Sequence, residues 1–194
     1  MKAILKNFQD QKTKQALAEK AHERLYFYLN RAKLTLDRLD TIKNNVTHSV
    51  ADQKEIDRFE TWFGSIKNYE THISHVKSVI DCIHKRFEDE NIILVYDVCP
   101  ENEDVYAFVT VDDIYKQHLK IHLGQAFFET DENNELFNTK LGTILHELTH
   151  IIGYTEDFAY GEDDCKNMDK QLSIFNADSY EMYIESFRNM PSIK

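Results

Sequence analysis

The first ninety residues carry apolar side chains at helical spacing. Between positions 12 and 40 they recur every three or four residues, with charged residues between them: Leu17, Ala21, Leu25, Tyr28, Leu29, Leu36 and Leu39. This spacing places the apolar side chains on one face of an α-helix. Asp52 to Phe63 and Thr71 to Glu88 show the same period, and Gly64 ends the first of these stretches. We therefore predict three amphipathic helices in this part of the chain.

The hydrophobic pattern changes after residue 90. Three short runs rich in β-branched and aromatic residues predict strands: Asn91 to Val98, Val105 to Val111 and Leu119 to Leu123. Asp131 to Asn134 is predicted as a loop, and helical spacing returns at Lys140 to Ile152 and again after Asn176. The order of helices, small sheet and helices predicts an α+β fold. We expect one domain over 1–194, with a helical part at 1–90 and the sheet and later helices at 91–194.

Composition and charge narrow the class of protein further. The chain has 194 residues, and 34 acidic against 23 basic residues give it a formal net charge of −11. Binding to nucleic acid needs a cationic surface, so this charge argues against a nucleic-acid partner. No apolar run approaches the roughly 18 residues that span a membrane, and we predict no transmembrane segment. Lys6, Asn7, Gln9 and Asp10 interrupt the apolar stretch that an ordinary export signal needs.

The five residues His146-Glu-Leu-Thr-His150 carry the clearest chemical signal. On an α-helix, residues four apart lie one turn apart on the same face, so two imidazoles at this spacing can bind one metal ion. Glu147 lies at the edge of that face, where it can act as general base on water at the metal without being a ligand. Apolar residues around the motif supply a buried side for the helix: Leu141, Ile144, Leu145, Leu148, Ile151 and Ile152. The alternative is a pair of surface histidines beside a capping glutamate.

A catalytic zinc ion needs a third protein ligand and leaves its fourth position to water. Three acidic residues compete for this role. Glu156 follows His150 by six residues, Asp157 follows it by seven, and Glu181 lies on a later predicted helix. Geometry leaves all three open, because the sequence does not fix the shape of the chain after Gly153.

The stretch from His146 to Gly161 resembles the signature of the aspzincin metallopeptidases, which include the deuterolysins and the peptidyl-lysine metalloendopeptidases. In that pattern His-Glu-x-x-His is followed by Gly-Thr-x-Asp-x-x-Tyr-Gly, and Tyr154 here replaces the first glycine. Three further stretches resemble family motifs in the family's order: Arg58 to Gly64, His122 to Phe128 and Asn176 to Glu181. The resemblance covers about residues 20 to 187, is closest to the lysine-specific branch, and implies a zincin-like fold.

The resemblance implies a zinc-dependent endopeptidase that hydrolyses peptide bonds with metal-activated water. By matching position, Asp157 becomes the third ligand of one Zn²⁺ ion, beside His146 and His150. Glu147 becomes the general base, and Tyr160 donates a hydrogen bond to the oxyanion that forms during attack.

A lysine pocket is the most specific expectation that the resemblance brings. Asp178 and Glu181 match the residues that line the pocket for the residue after the cut bond, which implies cleavage on the amino side of lysine. Two carboxylates in a partly desolvated pocket would select an ammonium group. The same two residues also fit a helix N-cap with its capping-box partner.

Location and partners complete the expectations. The chain has Gly124 where the resemblance leads us to expect a cysteine, and it shows no export signal. We expect secretion by a route that needs no signal peptide in this chain, or else a cytoplasmic location. We also expect a monomer with a protein or peptide substrate, paired with the edge of the sheet near Leu119 to Leu123. The alternatives are a catalytically silent binding protein on the same scaffold, or an effector protease of narrow specificity.

Overall fold

Three long helices form the first half of the chain, as the apolar spacing predicts. In the computed structural model, which describes residues 3–130 and 137–189, they are α1 (Lys12–Ile42), α2 (Val50–Phe63) and α3 (Glu70–Asp89). Each buries most of its apolar face, with Leu17 and Tyr28 of α1 only partly covered, and α1 packs along α3. The start of α2 is capped by the side chain of Ser49, and the helix ends at Gly64, whose positive φ of +82° favours glycine.

A four-stranded sheet follows in the order β1-β2-β4-β3, where β1 is Ile4–Lys6, β2 is Ile93–Tyr96, β3 is Ala107–Phe108 and β4 is Lys120–Leu123. The first three strands in this order are parallel, and β3 pairs with β4 in the antiparallel sense. β4 is therefore an inner strand, and our expectation that it forms the substrate edge is wrong. The edge on that side is β3.

Several elements differ from the sequence-based expectation. The predicted strand Val105 to Val111 is reduced to β3, because Thr110 caps a helix, α4 (Val111–Lys116), and its hydroxyl accepts from the N–H of Asp113. β1 was not predicted, since three residues carry too little periodicity, and its pairing with β2 brings the N-terminal residues into the fold. The predicted loop Asp131 to Asn134 lies outside the described residues.

Within 125–130 and 137–189, the described residues that follow β4 form the α-helices α5 (Gln125–Glu129), α6 (Lys140–Gly153), α7 (Gly161–Asn167), α8 (Lys170–Ser173) and α9 (Ala177–Glu185). α6 is the central element, since it contacts α1, α3, α9 and the strands β3 and β4. Five of its six predicted apolar residues are fully buried and Ile152 is partly buried, while α9 also covers much of its polar side. The result is the expected α+β fold.

Among the residues that the structure describes, no helix combines the length and the apolar character needed to cross a membrane. Gly124, where the family resemblance leads us to expect a cysteine, directly follows β4. A Cβ atom at this position would lie 2.1 Å from the carbonyl oxygen of Val105, so no side chain fits there without a shift of the backbone.

Candidate functional site

Helix α6 presents two histidines to a cleft one helical turn apart. The ring centroids of His146 and His150 are 4.8 Å apart, and the ring planes cross at 78°. The helix begins at Thr139, whose hydroxyl accepts from the N–H of Gly142, and its end is followed by Tyr154 in a left-handed conformation. The spacing that the sequence shows is therefore realised as two converging imidazoles.

After α6 the chain turns back and brings Asp157 between the two rings. Its Oδ1 atom lies 3.1 Å from Nε2 of His146 and 3.4 Å from Nε2 of His150. One ligand atom from each of these three residues lies within 4.8 Å of the others. Two neutral imidazole nitrogens and one carboxylate oxygen are the donor set that suits a catalytic zinc ion with an open position.

The other nitrogen of each ring is already engaged by the protein. Nδ1 of His146 lies 2.7 Å from Oδ1 of Asp178, and Nδ1 of His150 lies 2.8 Å from the carbonyl oxygen of Thr155. Both partners only accept hydrogen bonds, so each Nδ1 carries the proton and donates it. In a neutral ring this leaves the Nε2 lone pair free for a metal ion, which is how protein metal sites orient histidine ligands.

The segment that carries Asp157 is held by Asn176 at the start of α9. Its Oδ1 accepts from the N–H groups of Phe158 and Ala159, each at 2.9 Å. The backbone of Glu156 pairs with residues 175 and 177 as an isolated parallel bridge. These contacts fix the shape of the chain beyond α6, which sequence periodicity does not predict.

Asp178 contacts His146 on the Nδ1 side of the ring, away from Asp157. Its Oδ2 accepts from the N–H of Gly161 at 2.6 Å, and Gly161 has a φ of +74°, which favours glycine. Both carboxylate oxygens of Asp178 are thus bonded within the chain, to His146 and to Gly161. Asp178 lies inside α9 and does not cap it, since the N-cap position is Asn176.

The three candidates for the third ligand have separate positions. Asp157 is near Nε2 of both histidines, whereas Oε2 of Glu181 is 3.4 Å from Nδ1 of His146, on the far side of that ring. Glu156 belongs to neither of the two potential ligand groups found among the described residues. Of the three, only Asp157 meets both imidazoles.

Glu147 and Tyr160 lie beside this cluster. Glu147 is buried, and burial raises the pKa of its carboxyl group, while the charges of His146 and His150 act in the opposite direction. Tyr160 is 61% exposed and its hydroxyl is hydrogen-bonded to Asp157. Partial burial and this contact raise the pKa of Tyr160, so that the phenol stays protonated and able to donate.

The cluster has the electrostatics of a cation site. Burial alone would lower the pKa of His146, but hydrogen bonds to Asp157, Asp178 and Glu181 raise it well above its usual value. The hydrogen bonds from both histidines in turn hold the pKa of Asp157 well below its usual range. Positive charge is therefore favoured at the point where the three side chains meet, and a divalent cation fits that requirement.

Two cavities adjoin the cluster. The first, of about 460 Å³, reaches Asp178 and Glu181, and the second, of about 350 Å³, reaches His150 and Tyr154. Ala107 of β3, Glu147 and Asp157 line both of them. The first cavity is further lined by Tyr106, Asn138, Thr143, His146, Tyr160 and Gly161. The cluster therefore lies between two pockets under the edge of the sheet.

Two groups that support the site are not predicted by the sequence analysis. The carbonyl of Thr155 is a backbone atom and leaves no trace in side-chain chemistry. Glu185 is completely buried, and accepts from the N–H groups of Asn138 and Thr139 and from the hydroxyl of Thr139. The sequence offers one signal for this role of Glu185, which is an acidic residue in an otherwise apolar part of α9. Its hydrogen bonds hold the residues that begin α6.

Comparison with known proteins gives three results. The sequence model of the aspzincin M35 family, described as lysine-specific metallo-endopeptidase, matches residues 48–185. The solved structure of a zinc peptidase from Grifola frondosa has a TM-score of 0.65 at 22% identity, over 93% of this chain and 98% of that one. A neutral protease 2 homolog from Blastomyces gilchristii (strain SLH14081) is 46% identical over 50 residues, which are 24% of this chain and 14% of that protein. The Grifola likeness shows the shared fold.

Proposed function

The chain belongs to the aspzincin family of metallopeptidases, and from this premise we propose that it is a zinc-dependent endopeptidase that cuts on the amino side of lysine. The observation that carries the proposal is the convergence of two histidine Nε2 atoms on one oxygen of Asp157. His146, His150 and Asp157 would hold one Zn²⁺ ion per chain. When bound, zinc supplies a Lewis acid for the scissile carbonyl and for the attacking water.

The side chains around the metal ligands divide the remaining work. Glu147, with its pKa raised by burial, takes a proton from the attacking water and delivers it to the leaving amine. Tyr160, whose phenol stays protonated, donates a hydrogen bond to the developing oxyanion. Asp178 keeps the proton of His146 on Nδ1, and the carbonyl of Thr155 does the same for His150.

The first cavity is the proposed site for the lysine that follows the cut bond. It is lined by Glu181, whose carboxyl group is buried, and by Asp178 beside it. A lysine ammonium placed there would meet a carboxylate in a largely water-excluded position, where a charge pair is strong. Lysine's apolar stem would pass Tyr106 and Ala107 at the mouth of the cavity.

The test of this function is a digest of proteome-derived peptides followed by mass spectrometry. We expect new N-termini to begin with lysine, a chelator to stop cleavage, and added zinc to restore it. Glu147→Gln is expected to bind zinc and abolish cleavage, and a Glu147→Gln protein that cuts at the parental rate would contradict the mechanism. Products that begin mainly with apolar residues would refute the lysine pocket.

Zinc stoichiometry tests the ligand set independently of activity. Protein purified without added zinc is expected to carry close to one equivalent, and Asp157→Ala is expected to lose most of it. The matched control is Glu156→Ala, which removes the neighbouring carboxylate and is expected to keep the metal. Retention of zinc in Asp157→Ala would refute Asp157 as the third ligand.

A further inference from the structure

Tyr154 has a backbone conformation that disfavours its side chain. It follows α6 with φ +50° and ψ +40°, in the left-handed region that glycine adopts most readily. A tyrosine at such a position is unfavourable unless its side chain compensates for the backbone. The contacts of that side chain therefore bear on its function.

The Tyr154 side chain is held by the residue that ends α4. Its hydroxyl accepts from Nε2 of Gln117 at 2.7 Å, and Gln117 is itself left-handed at the end of α4, with φ +50°. The backbone carbonyl of Gln117 accepts from Nη2 of Arg86 on α3 at 2.6 Å. Two helix ends are thus tied together through one phenol. The tyrosine nevertheless remains 59% exposed, so much of its surface is free for a ligand.

The open side chain of Tyr154 lines the second cavity. The apolar side chains of Phe108, Val109 and Ile114 line the same cavity, with Glu147, His150 and Asp157 on its metal side. Phe108 is fixed by stacking of its ring on His122, at 4.7 Å between centroids and 16° between planes. The second cavity thus combines a pre-ordered aromatic and aliphatic lining with direct access to the reacting groups.

The direction of β3 assigns this cavity to one side of the substrate. Tyr106, which precedes β3, lines the first cavity, Ala107 of β3 lines both, and Phe108 lines the second. A substrate strand that pairs antiparallel with this edge runs from the second cavity towards the first. If lysine occupies the first cavity, the second receives residues on the amino side of the cut bond. Side chains two apart share one face of a strand, so the matching residue is the second before the cut.

We propose that the second cavity is a specificity subsite for a bulky apolar or aromatic side chain, two positions on the amino side of the cut bond, with Tyr154 as its determinant. This inference rests on the proposed function, because it takes the orientation of the substrate from the lysine pocket. It goes beyond that function by assigning a second position at which the enzyme selects its substrate.

The experiment uses peptides with lysine fixed after the cut bond and phenylalanine, leucine, glycine or aspartate at the second position before it. We expect kcat/KM for phenylalanine to exceed that for glycine by about tenfold in the parent protein, the scale of one filled apolar pocket. Tyr154→Gly, which suits the backbone, is expected to bring this ratio close to one. Tyr154→Phe keeps the ring and is expected to keep the ratio. Tyr115→Ala, which removes an exposed tyrosine of α4, serves as control.

A purely structural role for Tyr154 gives a different pattern. Loss of the tie to Gln117 would then lower kcat/KM for all peptides alike in Tyr154→Gly, Tyr154→Phe and Gln117→Ala, with an unchanged ratio, and that result would overturn the proposal. Binding of the same peptides to Glu147→Gln, measured by fluorescence anisotropy, separates the two hypotheses. A phenylalanine preference in binding without any cleavage by the parent would refute the proposed function and support the subsite, whereas equal binding of all peptides would refute the subsite.

Discussion

The carboxylate of Asp178 lies 2.7 Å from Nδ1 of His146, on the side of the imidazole opposite the Nε2 atom that faces Asp157. This places Asp178, which the resemblance assigns to the substrate pocket, directly behind a proposed metal ligand. Its second oxygen is bonded to the N–H of Gly161. Asp178 therefore connects α6, α9 and the segment that carries Asp157. We therefore propose orientation of the ligand as a second role for this residue, beside the predicted lysine pocket.

Asp178→Asn tests the orienting role. In the parent, the two carboxylate oxygens of Asp178 each accept one hydrogen bond, from His146 and from the N–H of Gly161. An asparagine has only one side-chain oxygen, so one of these two donors loses its acceptor. We expect zinc affinity to fall by about 10- to 100-fold, as is common when the partner of a ligating histidine is changed. Competition with a chromogenic chelator measures this. Asp163→Asn, an exposed site on α7, is the control, and equal affinity in both variants would contradict the role.

Glu181→Gln tests the lysine pocket without a change in side-chain size. The comparison is between matched peptides with lysine or methionine after the cut bond. We expect the ratio of kcat/KM for lysine over methionine to fall by about tenfold or more, because a buried carboxylate is replaced by a neutral amide. Zinc content is measured in parallel, since Glu181 also approaches Nδ1 of His146.

A control for Glu181→Gln separates the pocket from the general negative charge of the cleft. Glu162→Gln removes a carboxylate of α7 whose side chain is 43% exposed. This variant is expected to keep the lysine preference of the parent. An equal fall in both variants would mean that long-range attraction, and not Glu181, selects the substrate.

Gly142 is required by the packing of α9 against α6. A Cβ atom at this position would lie 2.2 Å from Oε1 of Glu185 and 2.7 Å from Oε1 of Glu181. Replacement of glycine by alanine inside a helix ordinarily stabilises by up to about 1 kcal/mol. Here we expect Gly142→Ala to lower the free energy of unfolding by about 1–3 kcal/mol through overpacking, because hydrogen bonds to residues 138 and 139 keep Glu185 in place.

Urea unfolding of Gly142→Ala and of Gly153→Ala provides the comparison. At Gly153 the nearest atoms to an added Cβ are side-chain methyl carbons, with Val79 Cγ1 at 3.1 Å, which can give by a few tenths of an ångström. Gly153→Ala is therefore expected to change stability far less. A Gly142→Ala protein as stable as the parent would show that the two glutamates can move away from α6.

The sequence predicts the parts of the site that helix periodicity controls. His146 and His150 are recognisable because four residues make about one helical turn, and the apolar residues around them predict the buried side of α6. The position of Asp157 depends on Tyr154, Asn176 and the parallel bridge at Glu156, none of which has a periodic signature. For this residue only the family resemblance distinguished among the candidates, and the tertiary structure then placed it between the two rings.

The errors in the fold have two physical causes. β3 and α4 share a stretch of β-branched residues, and the choice between strand and helix was made by the cap at Thr110 and by pairing with β4. β1 is formed by a partner strand that lies about ninety residues away in sequence. A local helix cap therefore decided the first case, and long-range strand pairing decided the second.

His22 provides a test of the core that is independent of the proposed metal site. It lies on α1 and stacks on Phe87 of α3, with ring centroids 4.5 Å apart. Burial lowers the pKa of His22 from 6.5 to about 4. Between these two pH values the unfolded chain takes up a proton that the folded chain does not, so the free energy of unfolding falls as the pH is lowered from 6.5 towards 4. At one pKa unit per 1.36 kcal/mol, the loss amounts to about 3 kcal/mol.

His22→Phe removes this titration and keeps an aromatic ring against Phe87. Urea unfolding of chelator-treated protein at pH 7 and at pH 4.5 is expected to show a smaller loss of stability in His22→Phe than in the parent, by about 2–3 kcal/mol. Histidines of the proposed metal site titrate in both proteins, so the difference between the two isolates His22. His118→Gln changes an exposed histidine and is expected to follow the parent. The same pH dependence in all three proteins would mean that His22 becomes protonated within the fold.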